Sequence, residues 1–538
     1  LAAEKIPIIA VTLGSGQGLA DAAVGQIDAP PTAFVNDPVP IRATVTRAGA
    51  RLPGPTLVRL IDRSSGQVLD EQRIEWTDSD GTPARQVTLT GRATSGAGER
   101  ADWEIRIQPA DPASGPRDLI EANNNAHVGI ALVNRPLRLL YVDGYPRWEY
   151  RFLKNIFARD DSIRFSSLLL SAGRKYLQEG NEEIDALPDS PAAWDAFDVI
   201  MLGDVQPGVM STQQLEQIRN RVALGGAGLL WIAGQSAVPA AYRTTPLADL
   251  LPVAIGAAPT DAVSTWDRDV TLRPAPLAEA LGVLRLGDRS PDGSYWPPQV
   301  SDPNAGWSRL RWMQRLDSTL LKPAAEALAT ASPVDGDGSP TSAVVTMRFG
   351  AGRIIYIATD EIWRYRFGKG EDLPERFYMQ LIRLLGRESV ARAGKPAVLS
   401  LTPKDPEVST AVRVSLDLLD QSLLDASPSS LTVRITKAAA PGQEPERADV
   451  TLKPIGASGA NGAGKAKSFV GTWVPASAGT WIGVVTDSLL EGKGVTATAA
   501  VATPDDELRR PEADHGALTA LAQETGGAVL DEETITRL

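Results

Sequence analysis

The apolar residues of this chain change their spacing twice, and that change limits the available folds more than any other feature. Between residues 5 and 134 they fall in short, β-branched, often alternating runs: IPIIAVTL, VPIRATVTR, TLVRLIDR, QVLDEQRIEW, RQVTLTGR, ADWEIRIQP, and AHVGIALVN after Asn123-Asn124-Asn125. Gly, Pro, Ser and Asp separate the runs, which is the grammar of strands joined by tight turns. At Arg135 the pattern becomes continuous apolar runs alternating with segments of helical period. From about residue 396 the strand pattern returns in AVLSLTPK, AVRVSLDLLD, LTVRITKA, ADVTLKPI, FVGTWVP, GTWIGVVTD and VTATAAVAT. The expected order is therefore an immunoglobulin-like β-sandwich over 1–134, an α/β domain over 135–395, a second immunoglobulin-like sandwich over 396–502, and a short α/β tail over 503–538. A chain of 538 residues exceeds what one core usually holds, which agrees with several domains.

Within 135–395, LRLLYVDG, DVIMLGD, GLLWIAG and GRIIYIATD read as buried strands. In PRWEYRFLKNIFARD, Trp148, Phe152, Ile156 and Phe157 recur at helical spacing, with Pro146 suited to a first turn. Ser211-Thr212-Gln213-Gln214 is a capping-box pattern, Gly225-Gly226 a stop, and PERFYMQLIRLLGR a further helix. This alternation predicts a central doubly wound, flavodoxin-like parallel sheet covered on both faces. Residues 255–345, with Trp266, Trp296, Trp307 and Trp312, read as an insertion plus further strands, and 456–468 as a loop tip.

Composition removes several chemistries. Lys+Arg number 54 against 66 Asp+Glu, a net charge of −12, which disfavours nucleic acid and anionic membrane surfaces as main partners. The absence of cysteine removes thiol nucleophiles, thiolate metal sites and disulfides, and leaves the compartment open. Only His127 and His515 could supply an imidazole base, and both lie outside the expected α/β domain. There is no P-loop and no G-x-G-x-x-G after a strand, so no cofactor is expected. No run of 18 apolar residues is present and Leu1 does not open a signal peptide, so any membrane anchor is expected outside this segment.

Ligands of open α/β sheets bind beyond the carboxyl ends of the strands. Three expected strands end in Asp143, Asp204 and Asp360, the last followed by Glu361. Held close, these carboxylates would share a divalent cation or form an acid/base pair; alternatively each caps the turn that follows it. Two aromatic–basic clusters follow the same strand ends: Tyr145-Pro146-Arg147-Trp148-Glu149-Tyr150-Arg151, and Trp363-Arg364-Tyr365-Arg366-Phe367-Gly368-Lys369. Arginine forks with flanking aromatics suit a ligand or a protein interface, and also suit ion pairs that lock loops, such as Arg147 or Arg364 with Asp143 or Asp204. Ser236, in Gly234-Gln235-Ser236-Ala237-Val238, resembles a nucleophile elbow without its final glycine, but has no histidine in its domain.

LLYVDGYPRWEYRFLKNIFARD, FDVIMLGDV, LGGAGLLWIAG and GAGRIIYIATDEIWRYRFG with RFYMQLIRLLGR together resemble the class I glutamine-amidotransferase-like superfamily over about residues 136–390. Within it they look most like uncharacterised bacterial membrane proteins that carry this domain outside the cytoplasm. Catalytic members use a cysteine at the elbow and a His-x-Glu pair; here Ser236 stands near the elbow and Thr359-Asp360-Glu361 where the histidine belongs. The resemblance therefore implies a domain without amidotransferase activity, an envelope location on the periplasmic side, transmembrane helices elsewhere, and the company of AAA-type ATPases and von Willebrand-type proteins.

Three functions remain in view. The first is a non-catalytic extracytoplasmic binding or assembly module with protein partners in the envelope. The second is a carboxylate- or metal-dependent hydrolase built on Asp143, Asp204, Asp360 and Glu361. The third is a sugar or peptidoglycan-fragment binder stacking its ligand on Trp148 and Trp363.

Overall fold

The computed structural model describes residues 6–11, 21–30, 32–48, 55–76, 84–92, 100–110, 121–170, 176–254, 263–291, 293–336, 338–403, 406–426, 428–437, 445–455, 468–490, 493–501 and 515–530. The stretch 456–467 of the expected loop tip and most of the expected tail lie outside them.

The first unit packs two sheets face to face. One has Pro38–Ala48 between Asp21–Asp28 and Ala84–Arg92, both antiparallel to it. The other runs in the order Thr32–Phe34, Asn125–Val133, Arg100–Pro109, Thr56–Asp62, Val68–Ile74. Alternation puts Val39, Ile41, Val45, Leu60, Leu89, Trp103, Ile105 and Ile130 between them. Gly91 is needed there, because a Cβ at that position would lie 2.4 Å from the Trp103 ring.

The central sheet has nine strands, in the order Tyr176–Gly180, Ile163–Leu170, Leu137–Asp143, Val199–Leu202, Gly228–Ile232, Gly352–Ile357, Thr341–Phe349, Ala325–Pro333, Val270–Pro274. Pairing is parallel from Ile163–Leu170 to Gly352–Ile357 and antiparallel at every other step. Leu139, Tyr141, Ile200, Leu202, Leu230, Trp231, Ile355 and Ile357 are buried without remainder, as strands covered on both faces must be. The covering helices include Trp148–Arg159, Thr212–Ala223 and Asp372–Arg392. Thr212–Ala223 opens on a complete capping box: Gln214 N–H donates to Ser211 Oγ at 3.1 Å and Ser211 N–H to Gln214 Oε1 at 2.9 Å. Trp148–Arg159 turns Tyr150, Leu153, Ile156 and Phe157 inward, whereas Trp148 is exposed. Pro146 precedes this helix rather than entering its first turn.

The expected fold class needs correction. The central sheet is mixed rather than a flavodoxin-like doubly wound parallel sheet, and strands dominate the described residues as a whole. The region read as an insertion supplies the difference. Val270–Pro274, Ala325–Pro333 and Thr341–Phe349 extend the sheet as an antiparallel meander, and Gly350, at φ +57°, turns the last of them into Gly352–Ile357. A Cβ on Gly350 would lie 2.2 Å from the Ala223 carbonyl oxygen, so the turn can form only with glycine. On the opposite edge Tyr176–Gly180 also runs antiparallel.

The C-terminal unit departs from two separate sheets as well. Seven strands form one continuous order, Ala397–Thr402, Val412–Leu418, Ser468–Trp473, Arg447–Ile455, Leu431–Lys437, Gly479–Val485, Thr496–Val501. Arg447–Ile455 joins the halves: up to Leu452 it pairs with Leu431–Lys437, and from Lys453 with Ser468–Trp473. A strand that changes partner in this way bends the sheet around its own core, here Val414, Leu416, Val433, Leu452, Phe469 and Trp481. Near the chain ends, Val529–Leu530 pairs in parallel with Ala10–Val11 beside the helix His515–Thr525. Among the described residues no helix is long and apolar enough to cross a membrane.

Candidate functional site

The parallel strands deliver Asp143, Asp204 and Asp360 to one edge of the central sheet, as their positions at strand ends require. Arg147 ties two of them, Asp143 and Asp360, together. This residue stands just before the helix Trp148–Arg159 in extended conformation, and its side chain turns inward instead of capping the helix. Its Nε donates to Asp143 Oδ2 at 2.9 Å, and its Nη1 donates to Asp360 Oδ2 at 3.2 Å and to the Ala233 carbonyl at 2.9 Å. Asp143 is fully buried and accepts further bonds from Tyr141 Oη at 2.5 Å, Gly144 N–H at 2.8 Å and Asp204 N–H at 3.2 Å. Burial raises the Asp360 carboxyl above its ordinary range against the pull of Arg147.

Asp204 serves the backbone. Its Oδ1 accepts the N–H groups of Ala237 at 2.6 Å and Val238 at 3.1 Å, and its Oδ2 those of Ser236 at 2.8 Å and the Tyr145 hydroxyl at 3.2 Å. The Tyr145 hydroxyl is pushed up to about 12 by burial and by this carboxylate. Ser236 is exposed, with its N–H spent on Asp204 and its carbonyl accepting from Gln206. His127 lies in the N-terminal unit opposite Glu104, and the His515 side chain lies outside the described residues. Glu361 Oε2 accepts the N–H groups of Arg311 and Trp312, and its Oε1 lies 3.2 Å from Arg364 Nε. These four carboxylates are therefore engaged by an arginine or by backbone. Among the described residues no group of three or more His, Asp or Glu side chains could hold a metal ion.

Glycines make this packing possible. A Cβ on Gly203 would lie 2.4 Å from Asp143 Oδ2 and 2.6 Å from Arg147 Nη2, and one on Gly234 would lie 2.0 Å from Asp204 Cγ. Arg147 Nη2 is buried and has no hydrogen-bond acceptor.

Beside this edge the two aromatic–basic clusters meet. Trp148 and Trp363 stack with centroids 5.6 Å apart, and Phe152 lies 6.0 Å from the first and 5.8 Å from the second at shallow angles. Arg151 lies over Trp148 at 5.4 Å, Arg364 over Trp363 at 5.2 Å, and Arg366 over Phe152 at 4.2 Å. Trp148 is 55% and Phe367 61% exposed, large values for residues of this size. Pro146, Arg147, Trp148, Arg151, Asp360, Glu361 and Trp363 line an open pocket of about 340 Å³.

One central group had not been singled out. Glu149 is buried; its Oε1 accepts from Tyr378 Oη at 2.6 Å and its Oε2 from Trp363 N–H at 3.2 Å. Burial pushes its carboxyl up to about 8. Glu149, Leu153 and Ile156 share the inward face of one helix, and that spacing was the available signal.

No protein-family model matches the chain, and no curated protein matches it. Among solved structures, the CARDB domain of a Pyrococcus furiosus protein is similar over 22% of this chain and 97% of its own, with 15% identity and a TM-score of 0.18. An exo-beta-1,4-mannosidase from Opitutaceae bacterium strain TAV5 is similar over 46% of this chain and 36% of its own, with 14% identity and a TM-score of 0.26. A glycosyl hydrolase family 2 member from Bacteroides cellulosilyticus is similar over 90% and 78%, with 9% identity and a TM-score of 0.15. At such scores the likeness assigns neither fold nor activity. The flavodoxin-like description of the central domain is withdrawn because its sheet is mixed, and none of these comparisons supports the amidotransferase-like resemblance.

Proposed function

We propose that the central domain is a non-catalytic binding module, part of an extracytoplasmic, membrane-anchored envelope protein whose flanking β units act as spacers or docking surfaces. The observation that supports this most is the placement of Arg147 between Asp143 and Asp360. A carboxylate pair that carried acid/base chemistry or a cation would have to be free of so close a buried guanidinium, or to displace it. Asp204 and Glu361 are likewise committed to backbone N–H groups. The solvent-facing part of this edge is instead an aromatic shelf carrying three arginines, a composition that favours recognition. The alternative of a carboxylate- or metal-dependent hydrolase has less support for the same reason.

The test is direct. The protein should show no turnover of glutamine, ester, peptide or glycoside substrates above a Trp148→Ala, Arg151→Ala control, while immobilised protein should retain ligand or partner through that face. Turnover lost in Asp360→Asn would overturn the reading. For the location, protease added outside intact spheroplasts should digest the chain, whereas protection until lysis would contradict it.

A further inference from the structure

We infer that the pocket between Trp148, Trp363, Arg147 and Asp360 takes a neutral saccharide ring. The inference rests on the binding reading above and adds the ligand class. Four charged groups line the pocket: Arg147, Arg151, Asp360 and Glu361. Their charges cancel, so an anionic ligand meets two carboxylates wherever it meets the two guanidiniums, and a metal cation meets the buried Arg147 beside any carboxylate it reaches. A ligand that satisfies both signs must offer hydrogen-bond donors and acceptors a few ångströms apart without net charge. Adjacent hydroxyls of a sugar do this: one donates to Asp360, whose side chain is 17% exposed, and its neighbour accepts from a guanidinium. Arg147 already has Nε and Nη1 engaged and keeps one buried nitrogen, Nη2, without an acceptor. That nitrogen faces the buried Gly203, which is not part of the pocket lining, so the guanidinium left to bond a sugar oxygen is that of the exposed Arg151.

The other half of the pocket is apolar. Trp148 is 55% exposed, and the part of its indole that Trp363, Phe152 and Arg151 leave uncovered is the apolar surface open to the C–H face of a pyranose. A volume of about 340 Å³ lies at the small end of ligand sites, which suits one or two sugar rings rather than a folded partner. An acidic peptide would suffer from Asp360 and Glu361, and a basic one from Arg147 and Arg151.

Tryptophan fluorescence and calorimetric titration with cellotriose, maltotriose and chitotriose, each up to about 10 mM, test this. At least one should quench the emission saturably, with affinity reduced at least about 10-fold in Trp148→Ala and in Trp363→Phe. Trp148 is half exposed, so its variant should melt within a few degrees of the parent and keep the comparison valid. Failure of all three sugars to bind would overturn the inference and leave the non-catalytic reading standing. Tighter binding of glucuronate or inorganic phosphate at the same tryptophans would overturn it too. Binding accompanied by cleavage of the sugar would support the saccharide site and overturn the non-catalytic reading, so the two failures are told apart.

Discussion

Arg147 Nε lies 2.9 Å from Asp143 Oδ2, and both side chains are almost wholly removed from solvent. The pair spans the junction between a parallel strand and the helix that follows it, and Asp360 joins it from the end of the strand three places across the sheet. A buried pair contributes modestly as a whole but is costly to break from one side, because the charge left behind has no partner. The acidic edge is thus a latch between loops.

Asp204 gives a second test of that idea. Asp204→Ala removes the acceptor for the N–H groups of Ser236, Ala237 and Val238 and for the Tyr145 hydroxyl. The Ala237 and Val238 groups are buried, and stability should fall by about 2–4 kcal/mol in urea unfolding monitored by circular dichroism. Asp204→Asn should fare little better, since its amide would turn donors toward donors.

Two glycines should prove intolerant. Gly203→Ala and Gly234→Ala each drive a methyl group into a carboxylate that backbone or arginine bonds already fix. Each should cost about 1–3 kcal/mol, the range that overpacking of a closed site spans. Gly208→Ala, where a Cβ meets nothing within 4 Å, is the control and should melt near the parent.

Glu149 predicts a pH dependence. In the folded chain its carboxyl titrates at about 8, against 4.5 when free. Between those values the fold retains a proton that the unfolded chain has released, so the contribution is complete below about pH 4.5 and stability falls as pH rises toward 8. Glu149→Gln, uncharged throughout, should flatten this slope in melting temperatures taken from pH 5 to 8, and should keep an acceptor for Tyr378 Oη or Trp363 N–H. An unchanged slope would show that another group carries it.

The strand-end aspartates were legible because a parallel strand must hand its last residue to one edge of the sheet, whatever lies between. The pairing of Arg147 with Asp143 was legible as one of several options, since they stand four positions apart across a turn. The sheet's antiparallel half was not: Ala325–Pro333 is rich in alanine and Thr341–Phe349 ends in a hairpin, and neither period nor composition states which edge such strands join. Trp148 and Phe152 carried helical spacing yet face outward, because the inward face is set by Tyr150, Leu153 and Phe157 against the sheet. Helical spacing with Leu153 and Ile156 marks the inward face of Glu149, but its partner Tyr378 lies 229 residues away in sequence and no local pattern encodes that contact.

A double-mutant cycle on Arg147→Met and Asp143→Asn, read by urea unfolding, tests the latch most directly. Each single variant should lose about 3–5 kcal/mol, and the double variant should lose clearly less than the sum, because neither buried partner is then left alone with its charge or its acceptor. Additive losses, or an Asp143→Asn variant as stable as the parent, would contradict the account and return Asp143 to the set of groups available for chemistry.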